Sequence, residues 1–183
     1  GGIGGKVYPP FPMLSHQEVL DFPIDSFATE QCHLYLWCLN STVELAYRVL
    51  DAWGFKYHCL MTWVKTGGLH VSMFSFTSEF VMFGYRGYLR QNPTDGKPAT
   101  KTWFEGKKRE YARKPDELYA TAERISLPPR VDIFAREARK GWDVWGNEAG
   151  GNGYKRGELV RGFPIWKEGG QNAKREDSVL PNL

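Results

Sequence analysis

No apolar run in this sequence of 183 residues is long enough to cross a bilayer as a helix. Its first residues, Gly1 to Gly5, carry no apolar signal-peptide segment and read as a flexible loop. Cysteine is scarce: Cys32, Cys38 and Cys59 stand apart among apolar neighbours, with no Cys-x-x-Cys pair. An odd number of thiols without metal spacing points to reduced, buried cysteines and a cytoplasmic protein. His16, His33, His58 and His70 also lack metal-ligand spacing, so no metal is expected. Charge of one sign is not in large excess, since the formal net charge is only +3. No internal repeat is present.

What remains is the composition of one globular domain with a sizeable core, 42% hydrophobic and 25% charged. Aromatics are abundant at 15%. Most of them fill a core, and a few could line a pocket for a flat ligand. Basic residues gather between Arg86 and Lys114, where Arg90, Lys97, Lys101, Lys107, Lys108, Arg109 and Arg113 are opposed only by Asp95, Glu105 and Glu110. Such a stretch either attracts a phosphate backbone or is a solvated loop.

Cys32 to Leu39 is short and almost wholly apolar, as a strand buried on both faces would be. Ser41 with Glu44 has the capping-box pattern, and Val43, Ala46, Tyr47, Val49 and Leu50 follow at helical spacing until Gly54. Residues 55–65 form the next expected strand, giving a strand-helix-strand unit. Further strands are expected at residues 79–85, 130–136 and 141–145. Residues 86–113 read as a long loop. Pro115, followed by Asp116 and Glu117, suits the first turn of a helix running to about Arg124. From Gly150 onward Gly, Lys, Arg and Glu dominate. That tail either docks through Phe163, Ile165 and Trp166 or is disordered. The expected division is therefore a domain over 1–149 and a tail over 150–183. Alternating strands and helices predict an α/β fold with a mainly parallel sheet.

An ordered set of segments resembles the MT-A70 family of N6-adenine methyltransferases, which includes messenger-RNA methyltransferase subunits and prokaryotic and phage relatives. The segments are Phe11 to Ser15 with Glu18, Leu34 to Trp37 with Asn40, Ala52 to Phe55, Trp63 to Lys65, Glu79 with Gly84, Arg86 and Gly87, Lys114 to Glu117, Asp132 to Arg136, Gly141-Trp142 and Gly146 to Glu148. The resemblance covers roughly residues 8 to 149. It implies a Rossmann-like fold with permuted motif order, S-adenosylmethionine as cofactor, and adenine in DNA or RNA as substrate. It also implies a possible homo- or heterodimer and no membrane.

The family's chemistry must overcome a poor nucleophile, because the N6 lone pair is delocalised into the adenine ring. An Asp-Pro-Pro-Trp motif accepts hydrogen bonds from the amine and stacks on the base, which is positioning plus electrostatics. This sequence contains no such motif. Tyr8-Pro9-Pro10-Phe11 is a poor stand-in, because Tyr8 does not replace an anionic acceptor and the string adjoins Met13 and Ser15. The expectation is that the motif lies upstream of Gly1, or that the chain is a catalytically silent partner subunit. In either case the chain as given should show little or no turnover.

By the same resemblance Lys114, Phe134, Arg136, Asn147 and Glu148 are expected around the cofactor. Lys114 would face the cofactor carboxylate or the target backbone, and Arg136 and Asn147 the ribose and adenine. Trp63, Lys65, Glu79 and Arg86 are expected on the substrate side. Trp63 either stacks on the base or fills the core, and Glu79 either holds the target nucleotide or makes a structural ion pair.

Overall fold

A computed structural model describes residues 13–66, 73–89, 100–109, 113–146, 165–167 and 171–173. The chain divides into two compact units, Ser15–Leu127 and a second made of Gly1–Leu14 with Pro128–Leu183. The expected boundary at residue 150 lies outside the described residues.

The first unit opens on a capping box. The Glu18 N–H donates to Ser15 Oγ at 3.2 Å and the Ser15 N–H to Glu18 Oε2 at 2.6 Å, starting α1 (His16–Leu20). The apolar run forms β1 (Cys32–Cys38), and the amphipathic pattern after it forms α2 (Val43–Ala52). The expected box at Ser41 and Glu44 does not set the start of α2. A 3-10 turn over Asn40–Thr42 intervenes, and Thr42 Oγ1 accepts the Leu39 N–H at 2.9 Å instead of capping the helix. Gly54 ends α2 as expected, with φ 69°. Its N–H donates to the Asp51 carbonyl (3.0 Å) and the Phe55 N–H to the Leu50 carbonyl (2.8 Å), the paired bonds of a glycine-terminated helix.

β2 (Lys56–Thr66) and β3 (Ser78–Arg86) follow as expected, but residues 86–113 are not all loop, because they contain β4 (Trp103–Lys107). Its burial alternates, but Trp103 and Phe104 are both apolar and Gly106 has no side chain, so sequence periodicity did not reveal it. α3 (Asp116–Ile125) has Pro115 at its N-cap, one position earlier than expected.

These strands form one sheet in the order β1-β3-β2-β4. β3 is antiparallel to both β1 and β2, while β2 and β4 are parallel. The expectation of a mainly parallel sheet is therefore corrected: two of the three pairings are antiparallel. The cause is that β3 returns directly from β2 as a hairpin arm and inserts between β1 and β2. Those two still run the same way around α2, but not as neighbours. Residues alternate between faces, and Met61, Val81 and Phe83 share one face with Leu118 of α3, with Tyr35, Trp37 and Phe104 packed around them. Burying each such aliphatic or aromatic side chain stabilises by about 1.5–3 kcal/mol. α2 lies on the sheet's other face, where Gly84 approaches Leu50.

In the second unit β5 (Val131–Ile133) pairs in parallel with β6 (Asp143–Trp145). Both are shorter than expected. β7 (Ile165–Lys167) and β8 (Gln171–Ala173) pair antiparallel within the expected tail.

Candidate functional site

β1, β2 and β4 point the same way, and their carboxyl ends meet the start of β3. Ligands in open α/β sheets bind at such carboxyl ends. On the α3 face of this edge stands Glu79, 15% exposed, opposite Trp63 in register. Its Oε1 accepts Lys65 Nζ at 2.9 Å and its Oε2 accepts Lys114 Nζ at 2.8 Å. One carboxylate thus sits between two half-buried ammonium groups, leaving one positive charge over.

The surroundings are aromatic. Lys114 Nζ lies 4.5 Å from the Trp37 ring centroid, and Lys65 Nζ lies 5.5 Å from that of Trp63. Trp37 stands edge-on to Trp63 at 5.9 Å and to Phe104 at 6.5 Å. A cation over an indole face gains about 0.5–2 kcal/mol, more where water is excluded. Burial alone raises the Glu79 pKa, but the charges and hydrogen bonds of Lys114 and Lys65 outweigh it and hold the carboxyl below its ordinary value. Glu79 is therefore ionised at neutral pH. The neighbouring Cys38 thiol is pushed up to about 11 by burial, against the pull of Lys114.

Local sequence explains this assembly. Lys114 precedes Pro115, whose fixed extended backbone turns the chain into α3 and brings the lysine back over the sheet. Gly106 permits the approach: a Cβ there would lie 2.9 Å from Pro115 Cβ and 3.0 Å from Trp63 Nε1. The Gly106 carbonyl in turn accepts the Trp63 indole N–H at 2.9 Å.

Four expected residues, Trp63, Lys65, Glu79 and Lys114, are thus brought together. Trp63 is 2% exposed with its N–H satisfied, which makes it a wall of the core and not an accessible platform. Arg86 is not part of the group. It stands at the far end of β3, where Nη2 meets Asp25 at 2.7 Å, Nε donates to the Trp53 carbonyl at 3.2 Å, and the guanidinium stacks on Phe55 at 4.7 Å. There it caps the carboxyl end of α2. Trp37 and Gly106 were not expected. Trp37 lay within a resembling segment without an assigned role, and Gly106 lay in the presumed loop.

In the second unit Phe134 directly follows β5 with φ 63°, an uncommon conformation for a bulky residue. The residue is 48% exposed, and its ring stands edge-on to Trp145 at 5.4 Å. Arg136, two residues on, is half-buried. Asn147 and Glu148 lie outside the described residues.

The family model described as MT-A70 matches residues 9–148. The chain belongs to the MT-A70 family. It is 29% identical over 153 residues to an Arabidopsis thaliana protein named N(6)-adenosine-methyltransferase MT-A70-like, covering 78% of this chain and 22% of that protein. A probable methyltransferase of the same name from Oryza sativa subsp. japonica is 28% identical over 153 residues, with 21% of it covered. The Type II methyltransferase M.MunI of Mycoplasma sp is 24% identical over 144 residues, covering 75% of this chain and 59% of that one. The chain thus spans about a fifth of the length of these plant relatives. Membership in the MT-A70 family implies a Rossmann-like fold and S-adenosylmethionine as methyl donor. Every described site residue falls inside the MT-A70 match. Among the described residues, no helix is long and apolar enough to cross a membrane.

Proposed function

We propose that this chain carries most of a site that transfers methyl from S-adenosylmethionine to N6 of adenine in nucleic acid. The observation that carries the reading is the Lys65–Glu79–Lys114 group beside Trp37, placed where strand carboxyl ends converge. Its surplus positive charge suits a ligand with a carboxylate or phosphate. Lys114 is the residue that such an anion would draw from Glu79, as the cofactor carboxylate or the target backbone. Glu79 and Lys65 would then hold the target nucleotide.

Phe134 and Arg136 fit an adenosyl group: an exposed aromatic residue and, two positions on, a half-buried arginine supply residue types for stacking and for hydrogen-bond donation. Asn147 and Glu148 would complete that half with acceptors for ribose hydroxyls. When bound, S-adenosylmethionine supplies an electrophilic methyl on a sulfonium leaving group. The permuted motif order of the family is part of the same proposal, as is a homo- or heterodimeric assembly.

Calorimetry tests the cofactor half. The chain should bind S-adenosylmethionine, and Lys114→Ala, Arg136→Ala and Asn147→Ala should each weaken binding about tenfold or more. Failure of the unaltered chain to bind would overturn the proposal. A radiolabelled methyl-transfer assay should show little or no turnover, because nothing in the sequence replaces the Asp-Pro-Pro-aromatic motif. The alternative reading is a catalytically silent nucleic-acid-binding subunit. It predicts oligonucleotide binding without cofactor binding.

A further inference from the structure

The Glu79 group occupies the α3 face of the sheet, and the opposite face of the same strands carries a separate cluster. On β4, Phe104 packs into the core beneath α3 and Gly106 meets Pro115. Trp103, Glu105 and Lys107 alternate with them and so belong to the other face. α2 packs on that face over Gly84, four positions along β3 from Phe80 and therefore ~13 Å away. Away from α2 the face reaches water. Trp103 is 45% exposed, and Thr66, Glu105 and Lys107 are exposed.

Register lines these residues up. Phe80, Thr62 and Trp103 form one row across β3, β2 and β4, and Thr66 and Lys107 form a later row on the same face. Lys101, two residues before Trp103, holds its ammonium 4.7 Å from the Trp103 ring centroid. Along β4 the indole therefore has one lysine before it and one after it, and at these positions Glu105 is the only acid.

That arrangement selects its occupant. One ring among charged neighbours offers little apolar area to a protein surface. It suits a ligand with a flat face and negative charge on either side, which is single-stranded nucleic acid. A solvated cation over an indole contributes about two- to fivefold in affinity. A stacked base contributes about five- to 150-fold. A base can therefore displace the Lys101 ammonium from the ring, and the released charge meets the adjoining phosphate.

We infer that Trp103 is a stacking platform for one unpaired base, with Lys101 and Lys107 meeting the phosphates on either side, at a surface distinct from the Glu79 group. The inference rests on the nucleic-acid reading above and adds a contact with the strand away from the target adenine.

Fluorescence anisotropy with labelled single-stranded DNA and RNA oligonucleotides of one sequence tests it, with light scattering on the same samples. Trp103→Thr, which keeps a residue suited to a strand, should weaken binding about tenfold at unchanged salt dependence. Trp103→Phe, which keeps a ring, should bind more tightly than Trp103→Thr. Lys101→Ala/Lys107→Ala should lower the slope of log affinity against log salt by about 0.7 for each lost phosphate contact. Both lysines are exposed, so that variant decides the matter should Trp103→Thr not fold. Equal binding by Trp103→Thr and the unaltered chain, or an unchanged slope in the lysine variant, overturns the platform alone. So does a loss that accompanies a fall in molecular mass, since the face would then cover a second copy of the chain. No oligonucleotide binding by the unaltered chain would overturn the platform and the nucleic-acid reading together.

Discussion

β3 carries a part-buried ion pair at each end, and the two are built to opposite plans. At its start the Glu79 carboxylate accepts from two lysines, with indole faces beside them and a positive charge left over. At its end the Arg86 guanidinium divides itself among the exposed Asp25 carboxylate, the Trp53 carbonyl and the Phe55 ring. Arg86 spends its donors on backbone that the end of a helix leaves unpaired, which is structural work. The Glu79 group is held by charge-assisted hydrogen bonds between side chains, so a ligand anion can enter it by replacing one contact. A part-buried charge is thus a sign of function only when its partners are themselves exchangeable.

Four measurements can break or sharpen this contrast. Arg86→Met should cost the most stability, about 2–3 kcal/mol, because it leaves the Trp53 carbonyl without its charged donor. Chemical denaturation reads the loss, and S-adenosylmethionine binding by the folded protein should be unaffected. A stable variant that loses binding would put Arg86 in the site and dissolve the comparison. Gly106→Ala should cost about 2 kcal/mol by overpacking against Pro115 and Trp63, and should perturb near-ultraviolet tryptophan dichroism. An unchanged spectrum would show that the approach of Lys114 does not depend on this glycine.

Glu79→Gln should cost about 1 kcal/mol at neutral pH, since Gln still accepts a hydrogen bond but no longer separates two ammonium groups. The folded pKa of Glu79 lies below the ordinary value of 4.5. Its stabilisation is therefore fully present above pH 4.5 and is lost as the pH falls through the lower folded value. The variant's stability should lack that part of the acid loss. Smallest in free energy is the state of Cys38. With its pKa near 11 against an ordinary 9.0, its thiolate fraction at pH 8 is roughly a hundredfold below that of a free thiol. Alkylation should be correspondingly slow, and Lys114→Met should slow it further by removing the one group that lowers the pKa. Rapid alkylation would place the thiol, and Lys114 with it, in water.

The sequence made the strongest elements legible because their signals are local. The apolar run of β1, the amphipathic α2, and Gly54 in its left-handed turn each depend on residues within a few positions. The start of α2 was misread because a 3-10 turn and a capped helix begin with the same polar residues. β4 escaped notice because a short edge strand with alternate residues in water looks like loop. In the site, family resemblance singled out Trp63, Lys65, Glu79 and Lys114, but it also singled out Arg86. Nothing local distinguishes an arginine that caps a helix from one that meets a ligand.

Sequence by itself determined the family, the helix and strand content around the site, and the residue types that can meet an anion and an aromatic base. Tertiary structure decided the rest. It inserted β3 between β1 and β2, which turned an expected parallel sheet into a mixed one. It set Glu79 between lysines that lie 14 and 35 positions away, buried Trp63 and left Trp37 beside Lys114. Those outcomes depend on which strand lies next to which, and strand order is fixed by packing on both faces of the sheet, a property that no single segment carries.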